Sequence, residues 1–320
     1  MTMKDFALIG AAGYIAPRHF KAIKDTGNRL VAALDGNDTV GILDSFFPDA
    51  HFFTEFERFD RFLDLRRRDG EGVDYVSVMS PNYLHDSHIR FALRAGANAI
   101  CEKPLVVNPW NIEALRVVEQ ESGRKVSSIL QLRLHPSIIA LREKVAAARA
   151  AGHGRFAVDL SYITSRGKWY FQSWKGEEKK SGGIAANIGI HFYDMLLWVF
   201  GPVEGMAVNH RAEDSASGTL QFRDADVRWF LSINADYLPE DVAAKGQRTY
   251  RSITIDGEEL EFSDGFADLH TDSYRHILSH GGFGLDEAEP SIQLVYNIRQ
   301  AVPVGKQGDY HPLAARAIEA

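Results

Sequence analysis

The run Cys101-Glu102-Lys103-Pro104 sets a carboxylate and a lysine at the end of an apolar stretch, Asn98-Ala-Ile-Cys101. Lysine is costly to bury, and its pKa falls when it is buried. A lysine held by proline at the mouth of a sheet is a candidate for proton transfer, with an ordinary strand-to-loop lysine as the competing reading. A second stretch, Gly182-Gly183-Ile-Ala-Ala-Asn187-Ile-Gly-Ile-His191-Phe-Tyr-Asp194-Met-Leu-Leu-Trp198, carries Asn187, His191, Asp194 and Trp198 at spacings of four, three and four. Those spacings share one helical face, while Ile188, Phe192, Leu196 and Val199 lie on others beside a core. Histidine switches protonation near neutral pH and can steer a substrate hydroxyl. A satisfied structural histidine is the alternative there.

A third stretch could hold a nucleotide. Gly10-Ala-Ala12-Gly13-Tyr14-Ile15-Ala16 follows the apolar run Phe6–Gly10 and precedes a helical pattern. Such a turn lets the backbone approach a pyrophosphate at a helix N-terminus. Ala12 occupies the middle glycine position of G-x-G-x-x-G. The next strand ends in Leu34-Asp35, about 22 residues after Gly13, where an acidic residue accepts from the adenosine ribose hydroxyls. Gly36-Asn37-Asp38 follows, without an arginine for a 2′-phosphate, which favours NAD over NADP. Ser80-Pro81-Asn82-Tyr-Leu-His85 closes another strand, and ligands of open α/β sheets sit outside the strands' carboxyl ends. Ser80, Asn82 and His85 therefore join the expected cofactor set with Glu102, Lys103 and Gln131, although Asn82 and Pro81 also suit a plain helix start.

The elements that must position these residues change along the chain. Strand patterns at Phe6–Gly10, Arg29–Leu34, His51–Phe53, Asp74–Val78, Ala97–Cys101 and Lys125–Gln131 alternate with helical ones at Arg18–Thr26, Thr39–Phe47, Glu57–Asp69, His85–Ala95 and Pro109–Ser122. That alternation predicts a parallel sheet with helices on both faces. After a helix at Pro136–Ala151 come strand formers at Arg155–Thr164, Val203–Arg211, Gly218–Phe222, Val227–Ala235 and Tyr250–Ile255. Asp256-Gly257, between Ile253–Ile255 and Glu259–Phe262, is a hairpin signal. This part predicts an open, mostly antiparallel sheet preceded by the helix Ala186–Phe200. Helices at Leu269–Ser279 and Glu289–Ala301 follow. Thr164–Gly183 is polar, aromatic and glycine-bearing, and is expected as an exposed loop.

With 320 residues the chain suffices for two domains. A net charge of -7 disfavours nucleic acid, though not a local basic patch. The single cysteine, Cys101, excludes an internal disulfide and a multi-cysteine metal site, so no metal is expected. It favours a reducing compartment. Met1-Thr-Met-Lys-Asp passes directly into the first strand, so no signal peptide is expected. No apolar run approaching about 18 residues is evident, so no membrane span is expected either, and the expected location is the cytoplasm.

Taken in order, the glycine turn, Asp35, Ser80-Pro-Asn82…His85, Glu102-Lys-Pro104 and the His191 helix resemble the Gfo/Idh/MocA oxidoreductase family over essentially the full length. The resemblance implies an NAD-binding Rossmann domain over residues 1–125 and an α+β domain for substrate binding and oligomerisation over residues 126–320. Gly10, Ala12, Gly13, Tyr14, Ile15 and Asp35 would face the cofactor. Many members have Asp-x-x-x-His where this chain has Asn187-Ile-Gly-Ile-His191, and asparagine cannot take a proton. Proton transfer then falls to Lys103 and His191, with the choice between them open, and Glu102 would orient the ribose or the lysine. Asn187-Ile-Gly-Ile-His191, Gly10…His19 and Lys168-Trp-Tyr-Phe-Gln-Ser-Trp-Lys175-Gly resemble the branch of UDP-N-acetylglucosaminuronate 3-dehydrogenases of the WlbA/WbpB type. That branch makes a 3-keto sugar on the way to a diacetylated mannuronic acid of surface polysaccharide. It implies a homotetramer and, as in some members, 2-oxoglutarate as reoxidant of bound NADH.

A UDP-uronate carries a diphosphate and a carboxylate. Arg166, Lys168, Lys175, Lys179 and Lys180 lie near Trp169, Tyr170 and Trp174 in sequence, and could pair with those anions and stack on uracil or sugar. The expected substrate set is Lys103, Arg166, Lys168, Trp169, Tyr170, Asn187 and His191. Lys179-Lys180 beside Glu177-Glu178 also fits a solvated charge run. Two other readings stay open: a dehydrogenase of another sugar or inositol, and a non-catalytic NAD-binding regulator. Retention of both Lys103 and His191 argues against the regulator.

Overall fold

Strand β1, Asp5–Ile9, is buried from Phe6 onward on both faces, which requires helices on either side of its sheet. The computed structural model describes residues 2–260 and 268–319. The chain forms two compact units, Met1–Leu134 with Phe266–Glu289 and His135–Gly265 with Pro290–Ala320.

In the first unit β1 leads to α1 (Ala16–Asp25), β2 (Arg29–Leu34), α2 (Leu43–Phe46), β3 (His51–Phe53), α3 (Phe56–Arg68), β4 (Tyr75–Val78), α4 (His85–Arg94), β5 (Asn98–Cys101), α5 (Trp110–Ser122) and β6 (Val126–Ser128). The strands pair in parallel in the order β3-β2-β1-β4-β5-β6. The order reverses between β1 and β4, and such a switch point opens a crevice at the strands' carboxyl ends. Two expected elements are shorter. The helix expected over Thr39–Phe47 is only α2, because Asn37 Oδ1 accepts from the Thr39 amide and hydroxyl and holds a turn there. The strand expected over Lys125–Gln131 ends at Ser128, since its neighbour β5 offers no pairing beyond Cys101, and the chain turns into a 3₁₀ segment, Gln131–Leu134.

The second unit contains α6 (Pro136–Ala150), β7 (Phe156–Thr164), α7 (Trp169–Gln172), α8 (Glu178–Ser181), α9 (Ile190–Phe200), β8 (Val203–Arg211), β9 (Ser215–Phe222), β10 (Ala225–Ser232), α10 (Glu240–Ala244), β11 (Thr249–Ile255) and β12 (Glu258–Glu259). Its sheet runs β12-β11-β7-β10-β9-β8, antiparallel throughout except for the parallel pair β7–β10. The mostly antiparallel expectation holds. Trp229 of β10 is fully buried and meets Tyr193 of α9 edge-on at 5.5 Å. Asp256 and Gly257 take φ of 51° and 83°, the two positive values a tight hairpin needs. Of the expected strand Glu259–Phe262, residues beyond 260 lie outside the described residues.

The stretch Glu178–Phe200 corrects one expectation, since by length and composition it is apolar enough to cross a membrane. However, 72% of its most apolar window is buried inside the protein, as in the core helix of a globular unit. Helix α11 (Leu269–His280) belongs to the first unit, where Tyr274 is fully buried beside Phe6 and His19. A linear division at residue 125 does not include this return. Tyr274 and Ile277 of this helix join the core that holds Phe6 and Phe20, and no local signal announces that pairing. Helix α12 (Leu285–Gln300) and α13 (Ala315–Glu319) end the chain.

Candidate active site

The nucleotide turn is shaped by steric necessity. Gly10 sits at φ +100°, and a Cβ there would lie 2.7 Å from the backbone of Met79. Only glycine fits such a conformation at such a distance. The Gly10 and Ala11 amides bond to Leu34 O, tying the turn to the end of β2. Asp35 closes the arrangement: its Oδ2 accepts from the Ala12 amide and its Oδ1 from the Asn37 amide, each at 2.9 Å. Each carboxylate oxygen keeps a second lone pair, enough for a ribose diol. Tyr14 is 90% exposed and Ile15 half-buried at the start of α1. A glycine cradle that a Cβ would fill is what a bound pyrophosphate needs. NAD is therefore expected to bind tighter than NADP by at least about tenfold in direct titration, the order of magnitude for like charges at contact. Equal or reversed affinities would sink the role given to Asp35.

The ends of β4, β5 and β6 carry the rest of the expected cofactor set. His85 is buried, with Nδ1 2.8 Å from Pro104 O and Nε2 2.7 Å from Ser80 O. Burial pushes its pKa down, against the pull of those carbonyls. A neutral imidazole has one N–H, so the ring donates to one of these carbonyls and lies against the other, between the Lys103-Pro104 turn and the end of β4. Ser80 Oγ lies 2.8 Å from His88 Nδ1. Asn82 is buried and Lys103 half-buried. Gln131, just past β6, holds a buried Oε1 without a hydrogen-bond partner among the described residues. A buried orphan acceptor is costly, and the amide of a bound nicotinamide could satisfy it.

Glu102 lies elsewhere than its position in the motif suggests. Its carboxylate turns inward, where Oε1 is 3.0 Å from both His19 Nε2 and His270 Nε2. His19 Nδ1 in turn lies 2.8 Å from Tyr274 OH, and that hydroxyl 2.6 Å from Ser77 Oγ. Sequence reading missed this chain of groups. His19 sits on the buried face of α1, which periodicity could have shown, but nothing local marks His270 or Tyr274 as its partners.

In the second unit the segment Thr164–Gly183 is exposed over much of its length, as expected, but it is not a plain loop. It folds into three short turns that bury Tyr170 to 2% exposure, with the Asn187 side-chain amide donating to Tyr170 OH at 2.7 Å. Asn187 thus acts as a donor here, in keeping with its inability to take a proton. The helix expected from Ala186 opens with a π turn, Ala185–Gly189, before α9, and such turns are frequent at functional sites. Asn187, His191 and Trp198 are half-buried and Asp194 is buried, while Trp198 is covered by Arg142 at 4.3 Å. Lys175 lies 5.3 Å from the Trp169 ring and 5.6 Å from that of Trp174. Burial lowers its pKa, and Arg166 lowers it further. The nearby carboxylates serve other cations, Glu177 on Lys180 and Glu178 on Arg299. Arg166 and Lys175 are therefore like charges near each other, with no ion pair to either among the described residues. An added anion would relieve that arrangement. Lys168 and Trp169 are exposed beside them.

A family model described as an oxidoreductase family with an NAD-binding Rossmann fold matches residues 4–129, and its C-terminal alpha/beta domain matches residues 155–310. The chain is 51% identical to the WlbA (WbpB) dehydrogenase from Thermus thermophilus, over 97% of this chain and 99% of that one, with a TM-score of 0.92. That enzyme was solved with NAD and alpha-ketoglutarate, and with NAD and UDP-GlcNAcA. The WlbA dehydrogenase from Bordetella pertussis shares the fold, at TM-score 0.74 and 21% identity over 96% of this chain and 98% of that one. Among curated proteins, 1,5-anhydro-D-fructose reductase from Ensifer adhaerens is 26% identical over 71% of this chain and 68% of its own.

Proposed function

Since this chain belongs to the Gfo/Idh/MocA oxidoreductase family, we propose that it uses NAD to oxidise the C3 hydroxyl of UDP-N-acetylglucosaminuronic acid to the 3-keto sugar. The observation that carries the reading is the 51% identity, over 97% of the chain, to a dehydrogenase solved with NAD and UDP-GlcNAcA. NAD, when bound, accepts the hydride from the carbon that bears the hydroxyl. The Tyr14 and Ile15 amides, at the N-terminus of α1, would hold the pyrophosphate, since the Gly10, Ala11, Ala12 and Gly13 amides are bonded within the turn and to Leu34 and Asp35, and Asp35 would accept from the ribose diol. Lys103 takes the hydroxyl proton, with His191 steering that hydroxyl. Arg166 and Lys175 meet the substrate's anionic groups, and Trp169 offers a face for stacking. The product would serve synthesis of a diacetylated mannuronic acid for surface polysaccharide such as lipopolysaccharide O-antigen, in the cytoplasm. A homotetramer, and 2-oxoglutarate as reoxidant, complete the proposal.

The direct test is nicotinamide reduction by the purified protein over a panel of UDP-sugars, free sugars and inositol. Reduction with UDP-N-acetylglucosaminuronic acid alone is the expected result. Turnover of a free sugar or inositol instead would favour another branch of the family, and no turnover of any substrate would favour a regulator. The anion contacts carry their own expectation. Arg166→Gln, Lys168→Gln and Lys175→Met should each raise the Kd for the UDP-uronate, by about tenfold or more where the contact is charge-assisted, and leave NAD affinity intact. Unchanged substrate affinity in all three variants would return this segment to an ordinary solvated surface.

A further inference from the structure

Glu102 is 7% exposed, His19 0%, His270 4% and Tyr274 0%, so this polar chain lies inside the first unit. With both imidazoles neutral, one set of hydrogen-bond directions satisfies the chain. Both Nε2–H groups donate to Glu102 Oε1, and the Lys103 amide donates to Oε2 at 3.2 Å. Tyr274 then donates to His19 Nδ1, and Ser77 to Tyr274. In this arrangement Glu102 accepts three N–H bonds and neither imidazole needs a charge. His270 Nδ1 is buried without a hydrogen-bond partner among the described residues. Burial opposes ionisation of Glu102, but the bonds from His19 and His270 outweigh it and hold the carboxyl well below the usual carboxylate range. Burial drives His19 toward its neutral form.

The place of this charge in the sheet gives it a use. The glycine turn after β1 and Asp35 after β2 take the adenosine half of the cofactor, so the nicotinamide half falls across the switch point, over β4–β6. Glu102 sits at the end of β5. We propose that Glu102 is a positioning residue and a fixed buried negative charge that favours the oxidised, positively charged nicotinamide ring over the neutral reduced one. The inference rests on NAD binding by the first unit and not on the identity of the sugar. Three groups on three elements, His19 on α1, His270 on α11 and the Lys103 amide after β5, hold the carboxylate in place.

The test compares the two redox forms of the cofactor. Nucleotide-free protein is titrated separately with NAD and NADH, as the native chain and as Glu102→Gln. The substitution should weaken NAD by about tenfold while changing NADH by less than about twofold, the order of magnitude for a unit charge in a partly hydrated interior. Glu102→Asp, which keeps the charge, should restore the native ratio. Equal weakening of both forms overturns the proposal, because a packing role alone does not distinguish a charged ring from a neutral one. Failure of the native chain to bind either form would instead sink the NAD reading. If Glu102→Gln does not fold, the native protein labelled with 13C at glutamate Cδ carries the test. Its Glu102 carboxyl should be ionised at pH 7, and a protonated signal overturns the proposal. The ligand atoms of His19, Glu102 and His270 lie within 4.8 Å of one another, so bound metal must be measured as well. Stoichiometric zinc that is lost with Glu102→Gln overturns the proposal, since a metal would neutralise the charge.

Discussion

Lys103→Met is expected to slow hydride transfer by roughly 10²–10⁴-fold, the usual contribution of general acid–base catalysis. Methionine keeps much of the lysine's length and apolar stem but has no ammonium. NAD binding should persist, because the Gly10 turn and the Asp35 bonds to Ala12 and Asn37 are untouched. His191→Asn should also slow the reaction. If the two residues act as one unit, the double variant loses less than the product of the single losses. Single-turnover reduction of the cofactor by the UDP-uronate measures the step itself, free of product release. A normal rate in Lys103→Met would remove this lysine from the chemistry. Thermal melting of each variant separates lost catalysis from lost folding.

Gly10→Ala is expected to cost more than a catalytic group, because it acts on both the fold and the cofactor. The new Cβ would sit 2.7 Å from the Met79 backbone, at a φ of +100° that alanine rarely adopts. Backbone strain and overpacking together destabilise by roughly 2–6 kcal/mol. Relieving the clash moves the turn away from the end of β4, so NAD affinity should fall by about 100-fold or more, as expected when more than one charge-assisted amide contact is lost. Gly27→Ala is the control. It too has a positive φ, +72°, but a Cβ there meets nothing within 4 Å. Its stability should fall by the strain alone, and its NAD affinity should not change. A Gly10→Ala protein that melts normally and binds NAD as the native chain does would show that this turn is not the phosphate cradle.

Period and composition carried much of the architecture. The alternation of strand and helix patterns through residue 128 determines a parallel sheet, because apolar strands buried on both faces need helices on both sides. The Asp256-Gly257 pair determines its hairpin, since few residues accept two successive positive φ values. The places of Gly10 and Asp35, just past the ends of the first two strands, were legible as well, because each follows an apolar strand pattern. What stayed hidden depends on contacts between distant segments. Glu102 reads in sequence as a group facing the ligand, yet its carboxylate points inward because His19 and His270, 83 and 168 residues away, supply its donors. Tyr170 reads as part of an exposed loop, yet its hydroxyl is anchored on Asn187 and its ring is buried. The return of residues 269–280 to the first unit has the same origin. Local pattern reports which face of an element is apolar. Only the tertiary structure decides which distant polar groups meet beneath that face, because a buried charge or hydroxyl is tolerated solely where its partners arrive.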